Sequence, residues 1–441
     1  MMDWIIPFLP RRCGGGAEHL RGGGGAGYGD ECFSPLHAPP PTRYACHLPR
    51  NGGGGKILFA LLATFFFSPA LAASGVTPTE ITIGTHVDLS GPLSPVGAAV
   101  RNGLEMAFDE TNAKGGEWGR RLHLVVADNR YDPDRAIAAT KTALSPDRVF
   151  AILCPVGTPP VAAAMPIFVN AGVLHLFPFT SADDTYVPSQ PLEFALDLPV
   201  ADQTRIGLRD LLDLRGNLRV GVLARDDAFG RAALAGANAE MERRHLRLPL
   251  AARYAPGATS FTRQLAALRA GGADIVVLGG VAQEAFAAMN AARARRWFPV
   301  FLCPSACYVP QVPTLGGRAV SGLYTVATTP IPYPDTTNAA LRAWIERYEG
   351  RFGSVASADA LRAYLDGRLF AEVLRRTGPA LSQARFARTL ETLHGWRDPQ
   401  FGGVPVDFTP RDHLGFHTGF LAQVRGGRWV AVEPGPAASK R

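Results

Sequence analysis

Three groups of residues carry side chains whose types and spacing could do chemistry. The first is the turn Gly157-Thr158-Pro159, set between the apolar run FAILCPV and the segment PPVAAAMPIFVNAG, with the second apolar run LHLFPF beyond it. Thr158 suits a helix N-cap, Pro159 the first helical position and Gly172 the helix exit, so the stretch 150–184 reads as strand, turn, helix, strand. That is a βαβ unit in a parallel sheet, and open α/β sheets bind ligands at the strand C-terminal ends where such turns lie. Free backbone N–H groups at Gly157 and Thr158, with the Thr158 hydroxyl, would favour an anionic group. The turn carries neither GxGxxG nor GxxxxGK, which removes support for a dinucleotide or a nucleoside triphosphate. A Gly-Thr-Pro turn can also do no more than start a helix, and Thr180-Ser181 after the second run can be plain turn formers.

The second group is Cys303 and Cys307 around a Pro-Ser-Ala loop. The pair lacks a second ligand pair and a nearby His, so a loop disulfide or two free thiols fits better than a metal site. Cys154, within a buried run, behaves as a small hydrophobe. The third group, His86 and Asp88, falls on one face of an alternating strand without supplying a nucleophile.

The elements that must position these groups alternate regularly. Strands are expected at 81–89, 121–128, 150–156 and 174–179, with helices from 98 to 116 and from Asp132-Pro133 to about 144. A second series follows: helix 203–214, strand 219–227, helix 230–245, strand 252–254, helix 261–270, strand 274–280, helix 282–295 and strand 299–305. Helices at 337–352, 358–377 and 383–393 and two short strands close the chain. Two half-chains of alternating strand and helix imply an α/β fold of two doubly wound, three-layer lobes.

Here the residues resemble a known family, the periplasmic solute-binding proteins of branched-chain amino-acid and amide ABC transporters, with a type I two-lobed binding fold. The marks are ITIG, LSGPLSPVG, ETNAKGG, the central turn, FPFTSA, RVGVLARDDAFG, DIVVLGG and PVFLCPS, in the family's order from about Thr79 to Val432. The resemblance implies a three-segment hinge crossed near Leu198, Thr325 and Val406. The lobes would be 78–198 with 326–406, and 199–325 with 407–434. It also implies a ligand in the interlobe cleft, its carboxylate held by Val156, Gly157, Thr158, Thr180 and Ser181 and its body walled by Leu93 and Val96. On the second lobe it places Phe229 at an aromatic clamp position, Val281 where an aromatic is common, and Ser305 where an acidic residue takes the ammonium. Tyr364, on a helix that reaches the cleft side in relatives, reads as core. The position near Arg130 that would pair with Cys154 in some members is not Cys, so that bridge is absent.

Ser305 in place of a carboxylate leaves a buried ammonium without its partner, a costly omission. Asp226 or Asp227 could substitute, or could face solvent or cap a helix. The expected solute is therefore an aliphatic or aromatic carboxylate, an amide or a urea-like molecule rather than an α-amino acid. The implied partners are that small solute and a membrane permease of an ABC importer. The expected protein is a monomer with no cofactor, no metal, no enzymatic chemistry and no nucleic-acid partner. A periplasmic sensor feeding a signalling receptor is the rival on the same fold. A secreted α/β hydrolase would need a GxSxG or HExxH motif, and the chain has neither.

Residues 1–55 hold 13 of the 48 glycines and show no periodicity able to build a core. Lys56, ILFALLATFFF and Ala70-Leu71-Ala72 then form the three parts of a secretory signal, with cleavage after Ala72 and no Cys at the next position. Its apolar run is too short for a mature membrane span. Removing residues 1–72 lowers the formal charge from +7 to +5, with the basic residues spread along helices. That spread does not form the stripe that nucleic acid needs. A signal so far from residue 1 fits a translation start near Leu48, with a genuine disordered Gly-rich leader over residues 1–55 as the alternative. Mass spectrometry of the precursor should find an N-terminus there, and recovery of a peptide from residues 14–42 would overturn this reading.

Overall fold

The protein is described by a computed structural model covering residues 73–145, 149–180 and 190–432. Five parallel strands form the first sheet: β1 (Glu80–Val87), β2 (Arg121–Asp128), β3 (Ala151–Leu153), β4 (Leu174–Leu176) and β5 (Glu193–Phe194). Their order is β2-β1-β3-β4-β5. The chain thus moves outward from β1 to β2, then returns across β1 to β3. Right-handed crossovers put α1 (Ser94–Ala113) on one face and α2 (Pro133–Leu144) with α3 (Thr158–Asn170) on the other. The strand ends of β1 and β3 therefore flank a topological switch point.

The second sheet repeats the arrangement. It holds β6 (Val220–Arg225), β7 (Leu250–Tyr254), β8 (Ile275–Gly279), β9 (Val300–Leu302) and β10 (Tyr324–Ala327) in parallel, in the order β7-β6-β8-β9-β10. Its connecting helices are α4 (Val200–Arg215), which leads into β6, α5 (Ala228–Arg243), α6 (Thr262–Ala270), α7 (Ala282–Ala294) and the short α8 (Gln311–Gly316). The reversal here lies between β6 and β8.

After β10 the chain returns to the first sheet. α9 (Ala339–Phe352), α10 (Ala358–Thr377) and α11 (Gln383–Glu391) pack there, α10 directly on α1. Rings of Phe108, Phe150, Phe370 and Phe386 lock α10 and α11 down, with Phe150 edge-on to Phe386 at 5.6 Å. A two-stranded ribbon, β11 (Trp396–Asp398) and β12 (Gly402–Val406), follows. The chain then runs beside the first crossing, where Ala195 N–H donates to His413 O at 2.9 Å and Gly415 N–H to Ala195 O at 2.8 Å. It ends in the antiparallel strands β13 (Phe420–Arg425) and β14 (Arg428–Ala431) on the second sheet.

The departures from the sequence expectation have physical causes. Thr325, expected at a crossing, lies inside β10 of the second sheet, and Val406, expected at another, ends the β11–β12 ribbon, so the chain leaves the second sheet after Ala327 and rejoins it at Phe420. α1 starts at Ser94 rather than near 98, because the buried Asp88 carboxylate takes the N–H groups of Gly91 (2.5 Å) and Leu93 (2.7 Å) and winds the preceding loop. Gly97 lets that loop close, since a Cβ there would strike the Asp88 carbonyl. β9 stops at Leu302 because a Cys303–Cys307 disulfide and Pro304 turn the chain. The pair is bridged, which resolves the two alternatives left open above. No helix among the described residues is long and apolar enough to cross a membrane.

The α1–α10 contact leaves no room for a side chain, because a Cβ on Gly103 would collide with the Ala360 carbonyl oxygen. Gly103→Val should cost about 1–3 kcal/mol by forcing the helices apart. It should lower the urea midpoint at unchanged m-value, and an unchanged midpoint would contradict this packing.

Candidate functional site

Nearly every residue expected to meet ligand sits beyond the C-terminal end of a parallel strand. Leu93 and Val96 follow β1, Val156–Thr158 follow β3 and Thr180 follows β4. Phe229 follows β6, Val281 follows β8 and Ser305 follows β9. The switch points of both sheets, β1/β3 and β6/β8, thus carry candidate residues. Ser181 lies outside the described residues.

On the first sheet these groups come together in a way the sequence did not indicate. Thr158 was expected as the N-cap, but the helix begins with it and Gly157 is the cap, at φ +103°. Tyr131, itself at φ +59°, covers this turn, and a Cβ on Gly157 would lie 2.9 Å from its ring. Glycine is therefore required twice over, for its conformation and for the ring's close approach. Of the two N–H groups expected to be free, that of Gly157 donates to Phe179 O at 3.4 Å, while that of Thr158 has no acceptor among the described residues. The Val156 N–H donates to His86 O at 3.0 Å, and Pro159 and Pro160 have no N–H to offer. Beside the Thr158 N–H stands a pair of hydroxyls, Thr158 Oγ1 and Thr180 Oγ1, 2.7 Å apart. Thr158 is exposed and Thr180 buried. When Thr180 donates within the pair, the outer Thr158 hydroxyl keeps its own hydrogen and can donate it to a ligand oxygen; in the opposite orientation it can only accept.

Behind Thr180 stands a charged cluster that sequence reasoning missed. The Thr180 N–H donates to Asp197, which pairs with Arg362 of α10 at 2.5 Å. The Arg362 guanidinium lies 3.9 Å from the Phe179 ring centre, and its Nε faces Asp366 Oδ2 at 3.6 Å. Cys154 Sγ donates to the same Asp366 Oδ2, also at 3.6 Å, so this thiol has a polar partner and is more than a small hydrophobe. Burial pushes the Asp366 carboxyl up to about 7 and raises Asp197 as well, with Arg362 opposing both. One cation faces several carboxylates here, and burial keeps part of that negative charge protonated. The signal in the sequence was DALRAYLD, in which Asp359, Arg362 and Asp366 share a helix face, but their partner Asp197 is 165 residues away.

Ser305 lies with Asp197, Asp359 and Arg362 along one pocket of about 210 Å³ between the two sheets. Its N–H donates to Gln203 Oε1 at 2.6 Å, and Gln203 Nε2 reaches Leu198 O at 2.6 Å. The acidic residues of the second sheet's strand ends are all engaged. Asp227 caps α5 and pairs with Arg225 at 2.6 Å, while Asp226 faces solvent and pairs with Arg253. Glu284 accepts the Tyr254 hydroxyl at 2.7 Å and the N–H groups of Gly257 and Val281. Phe229 is half-buried under the Arg225 guanidinium, 5.8 Å from its ring centre. Tyr364 is core, with its hydroxyl donating to Glu110 at 2.6 Å.

The profile of the periplasmic binding protein family matches residues 80–428. The chain belongs to that family. Within it the similarity runs to the branched-chain amino-acid branch and its type I fold. The Leu/Ile/Val-binding protein homolog 7 of Brucella melitensis is 22% identical over 384 residues, covering 83% of this chain and 95% of the relative. The Leu/Ile/Val-binding protein of Escherichia coli is 23% identical over 275 residues, 62% of this chain and 72% of the relative. Among solved structures, a substrate-binding periplasmic protein from Ralstonia solanacearum aligns at TM-score 0.62 and 25% identity, over 80% of this chain and 100% of that one. A fatty acid ABC transporter substrate-binding protein from Thermomonospora curvata aligns at TM-score 0.65 and 20% identity, over 83% of this chain and 95% of that one. The family consists of solute-binding proteins of the periplasm, and the two parallel sheets seen here are its two lobes.

The cluster behind Thr180 makes a pH prediction. The folded protein holds the Asp366 proton up to about pH 7, whereas the group's ordinary pKa is 3.8. Between those values the native state binds the extra proton, so this group's contribution to stability falls as pH rises. Asp366→Asn should therefore gain stability relative to wild type progressively from about pH 4 to pH 7. Parallel Tm-versus-pH curves for the two proteins would contradict it.

Proposed function

We propose that this periplasmic binding protein is the solute-receiving component of an ABC importer, exported through the 56–72 signal, and that its solute carries a carboxylate or amide but no ammonium. The solute docks on Thr158 and Thr180 at the first lobe's strand ends. The second lobe closes over it, with Phe229 and Val281 as apolar walls and Leu93 and Val96 opposite. Closure is a rotation about the crossing segments near 195–199, 327–338 and 415–419, and the closed form is what the permease recognises. No bond in the solute is made or broken.

The observation that carries the ligand class is the engagement of Asp226, Asp227 and Glu284 together with Ser305 at the acidic position. An ammonium entering the second-lobe side would meet carboxylates already committed to Arg225, Arg253 and Tyr254. The Thermomonospora relative, a fatty acid binder by its description, supports the idea that this fold serves carboxylates without an amine. One observation favours a second reading. Asp359 lines the pocket beside Ser305, with Arg362 as its charged neighbour. An α-amino acid could place its ammonium there instead.

A thermal-shift panel of carboxylates, amides and branched-chain amino acids separates the two. A ligand at one hundred times its Kd adds roughly 2.7 kcal/mol of stability. Stabilisation by amine-free carboxylates or amides, weakened roughly tenfold in Thr158→Val by loss of one hydrogen bond to a charged group, supports the first reading. Stabilisation by branched-chain amino acids, lost in Asp359→Asn, would replace it with the second.

A further inference from the structure

If the solute is an amine-free carboxylate or amide held on Thr158, as proposed above, its far end meets the pocket of about 210 Å³ between the two sheets. That pocket adjoins the Thr158–Thr180 pair, because Asp197 on its wall accepts the Thr180 N–H. Its polar lining divides into committed and uncommitted groups. Asp197 is paired with Arg362, and Gln203 is satisfied at both ends by the Ser305 N–H and Leu198 O. The Arg362 guanidinium reaches Asp197 and Pro178 O, and the Tyr308 hydroxyl accepts the Ile331 N–H at 3.2 Å. Four groups are left. The Asp359 carboxylate and the hydroxyls of Ser305, Thr328 and Thr329 have no hydrogen-bond partner among the described residues, and Asp359 makes no ion pair there.

Asp359 is turned towards the pocket. It interacts electrostatically with both Arg362 and Asp197, which line the same pocket, yet it does not touch the guanidinium. Its oxygens and those of Thr328 and Thr329 stay open to solvent, whereas the Thr325 hydroxyl on β10 is sealed. Thr329 keeps that opening although the residue as a whole is only 8% exposed. The four groups also come from three parts of the molecule: Asp359 from α10 of the first lobe, Ser305 from the turn after β9 of the second, and Thr328 and Thr329 from the segment that leaves β10.

An apolar solute end would leave a half-buried carboxylate and three hydroxyls without partners. A second carboxylate would meet Asp197 and Asp359 against a single arginine. An uncharged end rich in O–H groups satisfies both kinds of partner, since its hydrogens go to the carboxylate and its oxygens accept from the hydroxyls. A single amide presents its donors and acceptor in one plane, while hydroxyls on adjacent carbons diverge towards groups on different elements. We infer that the solute carries a vicinal diol at the end remote from Thr158, and that this diol donates to Asp359 and accepts from Thr329 and Ser305. Asp359 is then the residue that selects hydroxylated over plain solutes. Because Ser305 and Asp359 belong to opposite lobes, the same diol links them on closure.

The test titrates the purified protein, by calorimetry, with carboxylates of three to six carbons hydroxylated on the two carbons farthest from the carboxylate. The unsubstituted carboxylates of the same lengths are the matches. The best-fitting diol should bind roughly tenfold more tightly than its match, the margin of one hydrogen bond to a charged group. Asp359→Leu should bring the two within about threefold of each other. Thr329→Val, which keeps the shape of the side chain, should narrow the gap as well, and it carries the test should Asp359→Leu fail to fold. Equal binding of diols and matches, or a preference that survives these substitutions in folded protein, would overturn the inference and leave the carboxylate reading standing. Tighter binding of the 2-amino carboxylates than of the diols would give the pocket an ammonium and overturn it too. Binding of neither series, nor of the corresponding amides, would remove the reading on which it rests.

Discussion

The pairing of Arg362 with Asp197 is the constraint on which the arrangement of the site depends. It ties the first crossing between the lobes to a helix that the chain reaches only after building the whole second sheet. On one side Asp197 takes the Thr180 N–H, and on the other Arg362 covers Phe179 and faces Asp366. Removing Arg362 would leave Asp197, Asp359 and Asp366 without their shared cation, a loss on the order of the 3–5 kcal/mol typical of breaking a buried pair from one side. The hydroxyl pair therefore rests on a rigid base, as the docking role proposed for it would require.

Strand order brings the remaining parts together. In each sheet the chain reverses direction beside its first strand, so adjacent loops leave the sheet towards opposite faces and open a crevice between them. Crevices at β1/β3 and β6/β8 would give each lobe half of the proposed site. Ala195, hydrogen-bonded to His413 and Gly415, keeps two of the segments that run between the sheets side by side.

The polarity of the site follows from which groups are already committed. A helix N-terminus ordinarily offers several N–H donors to an anion. Here two prolines and two backbone acceptors remove most of them, leaving the Thr158 N–H and two hydroxyls as the polar surface. Opposite, the acids of the second lobe neutralise arginines or cap helices. Both facts favour a ligand recognised by oxygen and by shape rather than by a full complement of opposite charges.

The sequence by itself determined the alternation of strands and helices, the two-lobed class and the positions of the turns at strand ends. These are properties of local periodicity and of Gly, Pro and Thr, read within a few residues of one another. The double proline at 159–160 also announced the loss of N–H donors, although Gly157 and Thr158 drew attention away from it. The family resemblance marked Ser305 and Phe229, and the loop length between Cys303 and Cys307 permitted the bridge that is present. Only the tertiary structure decided that Thr158 faces Thr180, that Tyr131 lies over Gly157, and that Asp197, Arg362 and Asp366 form one cluster. It also decided that the His86 ring is buried with Asn129 against its Nδ1. Each of these joins residues tens to hundreds of positions apart. Their meeting is set by strand order and helix packing, which hydrophobic periodicity does not encode.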